Sequence, residues 1–140
     1  MHKTVVGQIN INSIRNKFDH LMAAVSGNID ILLITETKID STFPVNQFYL
    51  NGYNVPYRND RNTNGGGILV YIRDDIRSRI IECENLPSSF EGLVIELSFN
   101  LKKWLLICSY NPYRNNIKEH IRVLSCCLDQ NIQKHEITNH

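Results

Sequence analysis

The period of the apolar positions changes several times along the chain, and each change marks a predicted element. From Thr4 to Ile11 the apolar positions are Val5, Val6, Ile9 and Ile11, which reads as a first strand. Ile14, Phe18, Leu21, Met22 and Val25 then recur at the spacing that lines one face of a helix. Ser13 is its predicted N-cap, because a serine hydroxyl accepts a bond from an unpaired first-turn N–H. Gly27-Asn28 is its predicted stop, since both residues tolerate the left-handed cap conformation. Ile29 to Thr35 is apolar on both faces, the pattern of a central strand covered on each side. Strand, helix and strand in this order predict a βαβ-like unit and a layered α/β fold.

From Asp40 to Asn64 the chain is rich in Asn, Asp and Pro and reads as loop, with a short strand near Tyr53 to Tyr57. Gly65-Gly66-Gly67 opens a strand from Ile68 to Ile72, and Arg77 to Glu82 is a further short strand. Leu93 to Phe99 alternates, Asn100-Leu101-Lys102-Lys103 predicts a turn, and Trp104 to Tyr110 returns at hairpin spacing until Pro112. A final helix is expected from about Asn116 to Gln133, with Ile117, Ile121, Leu124 and Leu128 on one face. No further central strand is predicted in the tail that follows.

At 140 residues the chain is the size of one domain. Its 42% apolar and 21% charged residues are those of a soluble globular protein. Lys+Arg 15 against Asp+Glu 14 leaves a net charge of +1, so no global basic field advertises nucleic acid, although a local basic cleft is compatible with that sum. The apolar runs are strand-sized and no apolar signal region opens the chain. Cys83, Cys108, Cys126 and Cys127 form no C-x-x-C pair and no N-x-[ST] sequon occurs, which favours a reducing intracellular setting over secretion.

Candidate chemistry falls at predicted strand ends: Asn10 and Asn12 after the first, Glu36 after the second and Tyr110 after the last. Open α/β sheets place ligands at such ends. A carboxylate with amide and phenol oxygens suits a hard cation such as Mg²⁺, which polarises phosphoryl oxygens and suggests phosphate-ester hydrolysis. Plainer roles stand beside this. Glu36 can pair with Lys38 or cap a backbone N–H, the asparagines can bond their own backbone, and Tyr110 can sit at a wet strand edge. Gly65-Gly66-Gly67 lacks the Gly-Lys-[Ser/Thr] of a P-loop and reads as a turn, while Arg58, Arg61 and Arg73 are either solvated or contacts for DNA phosphates.

Four blocks occur in order, "GQININSIRNKFDHL", "DILLITETKID", "NTNGGGILVYIRDDI" and "LLICSYNPY". Together they resemble the endonuclease/exonuclease/phosphatase superfamily and, more narrowly, the apurinic-type endonuclease domain of non-LTR (LINE-like, jockey-type) retrotransposons. The resemblance covers Val5 to about Leu128. It implies a four-layer α/β sandwich, two packed mixed sheets flanked by helices, of which this chain would form the N-terminal part with the C-terminal half absent. It also implies DNA as partner and Mg²⁺ as cofactor, with no membrane and no small-molecule cofactor, in an intracellular and, through its DNA target, nuclear setting.

By the same resemblance, Asn10 holds the scissile phosphate or the attacking water and Tyr110 lies near that phosphate. Glu36 is the metal ligand, Asn12 supports the metal at a position that is often Asp in relatives, Lys38 tunes the site and Arg15 contacts the DNA backbone. The family's later G-D-x-N and S-D-H motifs do not occur in this sequence. They orient the nucleophilic water and supply an Asp-His pair, and acid–base help alone is typically worth about 10²–10⁴-fold. The expected function is thus a fragment of a Mg²⁺-dependent DNA endonuclease, inactive as this chain. Two alternatives are a non-catalytic element product with weak DNA or metal binding and a small-ester phosphatase, against which the glycine-run block argues.

Overall fold

The computed structural model describes residues 4–25, 28–82, 92–99, 101–111, 118–126 and 132–137; side chains are described as far as 109, Val45 excepted. The chain forms two compact units, Met1–Asp74 and Asp75–His140. It is a mixed α/β-type protein, mostly sheet, with one α-helix among the described residues. No helix there is long and apolar enough to cross a membrane.

The first unit is built on strands β1 (Val6–Asn10), β2 (Ile31–Thr35), β3 (Tyr57–Asn59) and β4 (Ile68–Ile72), ordered β1-β2-β4-β3. β1 and β2 run parallel, β2 and β4 antiparallel, so the predicted βαβ unit is present with helix α1 (Phe18–Ala24) in its crossover. The helix starts later than predicted. Ser13 has φ 79°, its hydroxyl accepts from Arg15 rather than from a helix N–H, and Lys17 occupies the N-cap without a side-chain cap bond. The chain instead turns through Ile14–Lys17, closed by the bond from Lys17 N to Ile14 O. The short strand expected at Tyr53 to Tyr57 lies slightly later, and Tyr53 makes an isolated bridge to Arg73.

Both faces of β2 and β4 are shut off from water, as the unbroken apolar runs require. Leu32, Ile34, Leu69 and Tyr71 share one face and pack with Ile14, Leu21, Phe48 and Tyr53 into a single core. Tyr71 donates its hydroxyl to Phe48 O at 2.6 Å, and Tyr53 donates to Ile29 O at 2.6 Å. On the opposite face Ile31, Leu33, Ile68, Val70 and Ile72 are no more than 1% exposed.

The second unit is an antiparallel meander of β5 (Arg77–Ile80), β6 (Gly92–Phe99), β7 (Lys102–Asn111), β8 (Lys118–Cys126) and β9 (Ile132–Ile137). The predicted β6–β7 hairpin is present; Phe99 pairs with Lys102, and Leu101 takes φ 61°, as tight hairpin loops demand. Where the final helix was expected to run to Gln133, the described residues form strands instead. Of its stripe, Ile117 and Leu128 lie outside the described residues, while Ile121 and Leu124 belong to β8. Ile121, Arg122 and Val123 also alternate at strand period, the β-branched Ile121 and Val123 suit a sheet, and β7 is long enough to pair along nine residues of β8. Ladder pairing outweighs a short apolar stripe that fits either period. The tail likewise forms a strand, β9, paired to β8 from Ile121 to Cys126.

Candidate functional site

The parallel register of β1 and β2 ends at Asn10 opposite Thr35, which brings both C-terminal strand ends to one edge of the sheet. β4 begins opposite Thr35, so the glycine run that precedes it arrives at the same edge. The three segments are then stitched by backbone bonds. Ile11 N donates to Thr35 O at 3.0 Å, Ser13 N to Glu36 O at 2.8 Å and Ile14 N to Thr37 O at 3.0 Å. On the other side Thr37 N donates to Gly67 O at 3.4 Å and Lys38 N to Gly66 O at 3.0 Å.

This corner concentrates left-handed backbone. Asn12, Ser13, Glu36 and Lys38 have φ between 48° and 79°, and Gly66 and Gly67 have φ 69° and 98°. Positive φ is costly for residues with a Cβ, and such strain gathers where a side chain must be aimed. Gly67 has no alternative. A Cβ there would overlap Thr37 Oγ1, a buried oxygen with no hydrogen-bond partner.

Cationic side chains fasten the corner from outside. Lys17 Nζ donates to Ile11 O at 2.9 Å and to Asn12 O at 2.8 Å, and Lys38 Nζ donates to Asn12 Oδ1. Arg15 donates Nε to Ser13 Oγ at 3.3 Å and a terminal nitrogen to Thr63 O at 3.4 Å. Thr63 lies in a turn held by Asn62 Oδ1, which accepts from Asn64 N and Gly65 N.

Of the residues singled out from the sequence, Asn10, Asn12, Arg15, Glu36 and Lys38 belong to this corner. Asn10 and Asn12 are exposed, and Glu36 and Lys38 are half-buried. Tyr110 is the penultimate residue of β7 in the second sheet, opposite Glu119, and its side chain lies outside the described ones. Sequence reasoning missed Lys17, Thr37 and the backbone role of Gly66-Gly67. The adjacency of a glycine run to a strand-end carboxylate was the available signal, since close backbone approach is one use of glycine.

Oxygen is the only donor type the corner offers a cation. Among the described residues no group of three or more His, Cys, Asp or Glu gathers as a metal cluster. Mg²⁺ commonly takes only one or two carboxylates, keeping waters and substrate phosphate as its other ligands, and Glu36 fits that mode. Asn12 Oδ1 already accepts from the Lys38 ammonium, so an ion would have to displace that bond.

The basic residues flanking the glycine turn have specific partners. Arg58 is 14% exposed in its side chain and donates to Phe43 O at 2.7 Å, to Asp40 O at 2.8 Å and to the Asp60 carboxylate. Its guanidinium is committed to partners within the fold rather than solvated. Arg73 lies 3.8 Å from Asp30, whose carboxylate also accepts from Val5 N at 2.8 Å. Arg61 lies across Gly65.

Two carboxylates outside the corner respond to acid. Bonds from the Thr42 hydroxyl and N–H hold Asp40 below the ordinary 3.8, and bonds from Arg79 hold Glu96 below 4.5. A depressed folded-state value means stability that is present above the unfolded pKa and lost as pH falls through the folded one. Denaturation midpoints are therefore expected to fall as pH drops below about 4.5, the range where carboxylates protonate. Substituting Thr42→Val should flatten the part of that loss due to Asp40; an unchanged profile would contradict the assignment.

Compared with known families, the chain matches no family model, and no curated protein matches it significantly.

Proposed function

We propose that the Asn10–Glu36 corner is the substrate end of a Mg²⁺-dependent phosphodiester hydrolase, of the apurinic-type endonuclease kind found in non-LTR retrotransposons. One observation carries the reading: Asn10, Asn12, Arg15, Glu36 and Lys38, picked out by their motif positions, meet at one strained sheet edge. The inner strands β2 and β4, covered on both faces, support the finer reading of a four-layer sandwich.

Glu36 would hold the Mg²⁺ ion, which supplies Lewis-acid polarisation of a phosphoryl oxygen when bound. Asn10, exposed beside it, donates its amide to the scissile phosphate or orients the attacking water. Arg15 neutralises a neighbouring backbone phosphate, and Lys38 fixes Asn12 while adding positive charge where phosphate negative charge must be met. Tyr110 belongs to the second unit, and its proposed phosphate role rests on its S-Y-N-P position alone. The G-D-x-N and S-D-H motifs that would position the nucleophile and move its proton are not in these residues. These 140 residues are accordingly proposed to bind DNA and Mg²⁺ without cleaving.

Supercoiled plasmid incubated with the chain and Mg²⁺ tests this. The expected result is retardation of the DNA without nicking. Nicking that vanishes with EDTA and in Glu36→Ala would show that the residues present suffice for hydrolysis. A cooperatively folded chain that neither retards nor nicks DNA would remove the nucleic-acid reading.

A further inference from the structure

Between the turn that leads into α1 and the short 3₁₀ helix at Val45–Phe48 lies a cleft of about 440 Å³. Arg15, Asn16, Phe18, Asp19, Gln47 and Phe48 line it. Its size is that of a small-ligand site, roughly 300–1,000 Å³. Rings fix one wall: Phe18 stands edge-on to the buried Phe48, with 5.6 Å between centroids. Arg15, Asn16, Asp19 and Gln47 are exposed and open to a ligand. Among the described residues, the side chains of Asn16, Asp19 and Gln47 bond no protein group, and no ion pair joins Asp19 to Arg15. Arg15 is drawn instead to Ser13 Oγ and Thr63 O. The cleft thus keeps an acceptor-only carboxylate and two carboxamides beside an aromatic wall, with a guanidinium at its rim.

This mixture selects by charge. Arg15 opposes a cation and Asp19 opposes a phosphate or carboxylate, so the matching ligand is neutral, flat and polar along two edges. We propose that the cleft takes one unpaired nucleobase, guanine. Its N1–H and N2–H₂ are adjacent donors that one carboxylate accepts together, and its O6 and N7 accept from the carboxamides or from Arg15. Cytosine offers Asp19 only its N4 amine, adenine only its N6 amine and thymine only N3–H. The base face rests on Phe18, as bases stack on aromatic side chains in single-strand readers. The cleft deepens the hydrolase reading by naming a base-recognising subsite, and it rests on that reading only for the strand that would carry the base.

Nucleosides carry no phosphate, so titrating the intact chain with guanosine in EDTA reads the cleft and neither the corner nor a metal ion. Amide NMR shifts at Asn16, Asp19 and Gln47 are expected to saturate, with guanosine bound about tenfold more tightly than cytidine, adenosine or thymidine. Absent shifts overturn the proposal, and so does equal affinity for all four, which is stacking without recognition. Asp19→Asn, an exposed change of nearly the same shape, is expected to weaken guanosine about tenfold while urea denaturation stays unchanged. Undiminished guanosine binding by that variant overturns the assignment. Tighter binding of methylguanidinium than of guanosine would give the cleft to a partner's arginine and overturn it too. A thymidine oligonucleotide carrying one guanine, set against guanosine alone, identifies the source. A gain indicates a strand and no gain a free nucleoside, both requiring the cleft. A chain that binds guanosine yet does not retard plasmid loses the hydrolase reading and keeps the cleft.

Discussion

Gly67→Ala is expected to lower the unfolding free energy by roughly 2–5 kcal/mol, from left-handed backbone strain and overpacking together. Gly67 has φ 98°, and its added methyl would overlap Thr37 Oγ1, with Lys38 N also only 3.6 Å away. Thr37 is fully buried, so its side chain has little room to give way to the methyl. For a domain whose total stability is ordinarily about 5–15 kcal/mol, that is a large loss. Thr37→Ala in the same background should recover the overlap part and leave the backbone part, a coupling of about 1–3 kcal/mol in a double-mutant cycle. Urea denaturation of the four proteins measures it. A Gly67→Ala chain within about 0.5 kcal/mol of the parent would show that the Thr37–Gly67 contact does not shape the corner.

Arg58→Lys should cost about 2–4 kcal/mol, an effect far beyond that of an exposed basic residue. The guanidinium serves Asp60, Phe43 O and Asp40 O simultaneously, so it ties the loop after Ile39 to the end of β3. A lysine is a point charge on a flexible stem and cannot span three acceptors with fixed geometry. DNA affinity of the remaining folded chain should keep the same salt dependence. Arg15→Ala should instead leave stability nearly unchanged and reduce the slope of log K against log salt by about one. Because lysine keeps the charge, salt titrations of a folded Arg58→Gln chain beside Arg15→Ala distinguish a structural from a phosphate-binding arginine; a reduced slope in Arg58→Gln would reverse the assignment.

The parts of the fold legible in the sequence are those where burial sets the pattern. Ile31–Thr35 and Ile68–Ile72 are buried throughout, and their apolar runs announced it. The helix boundary was less legible because Ser13, a good cap by type, is bound into the corner by Glu36 O and Arg15. Residues 118–126 carry a stripe that fits helix and strand alike, and only the length of β7 beside them decides between the two. At the corner, motif position singled out Glu36 and Asn12 as candidates but gave no sign of their left-handed backbone. Asparagine tolerates that conformation, whereas serine, glutamate and lysine give no local hint of it. Lys17 was invisible for a related reason: its role is to reach back to carbonyls whose direction exists only once the corner has formed.

Glu36 is proposed to present a carboxylate for a divalent ion at this corner. Substoichiometric Mn²⁺, a paramagnetic stand-in for Mg²⁺, tests it most directly when added to the isotope-labelled chain. Selective broadening of the amides of Asn12, Glu36, Thr37 and Gly67 is expected, removed by excess Mg²⁺ and absent in Glu36→Gln. Broadening that centres elsewhere, or that survives Glu36→Gln unchanged, would contradict it.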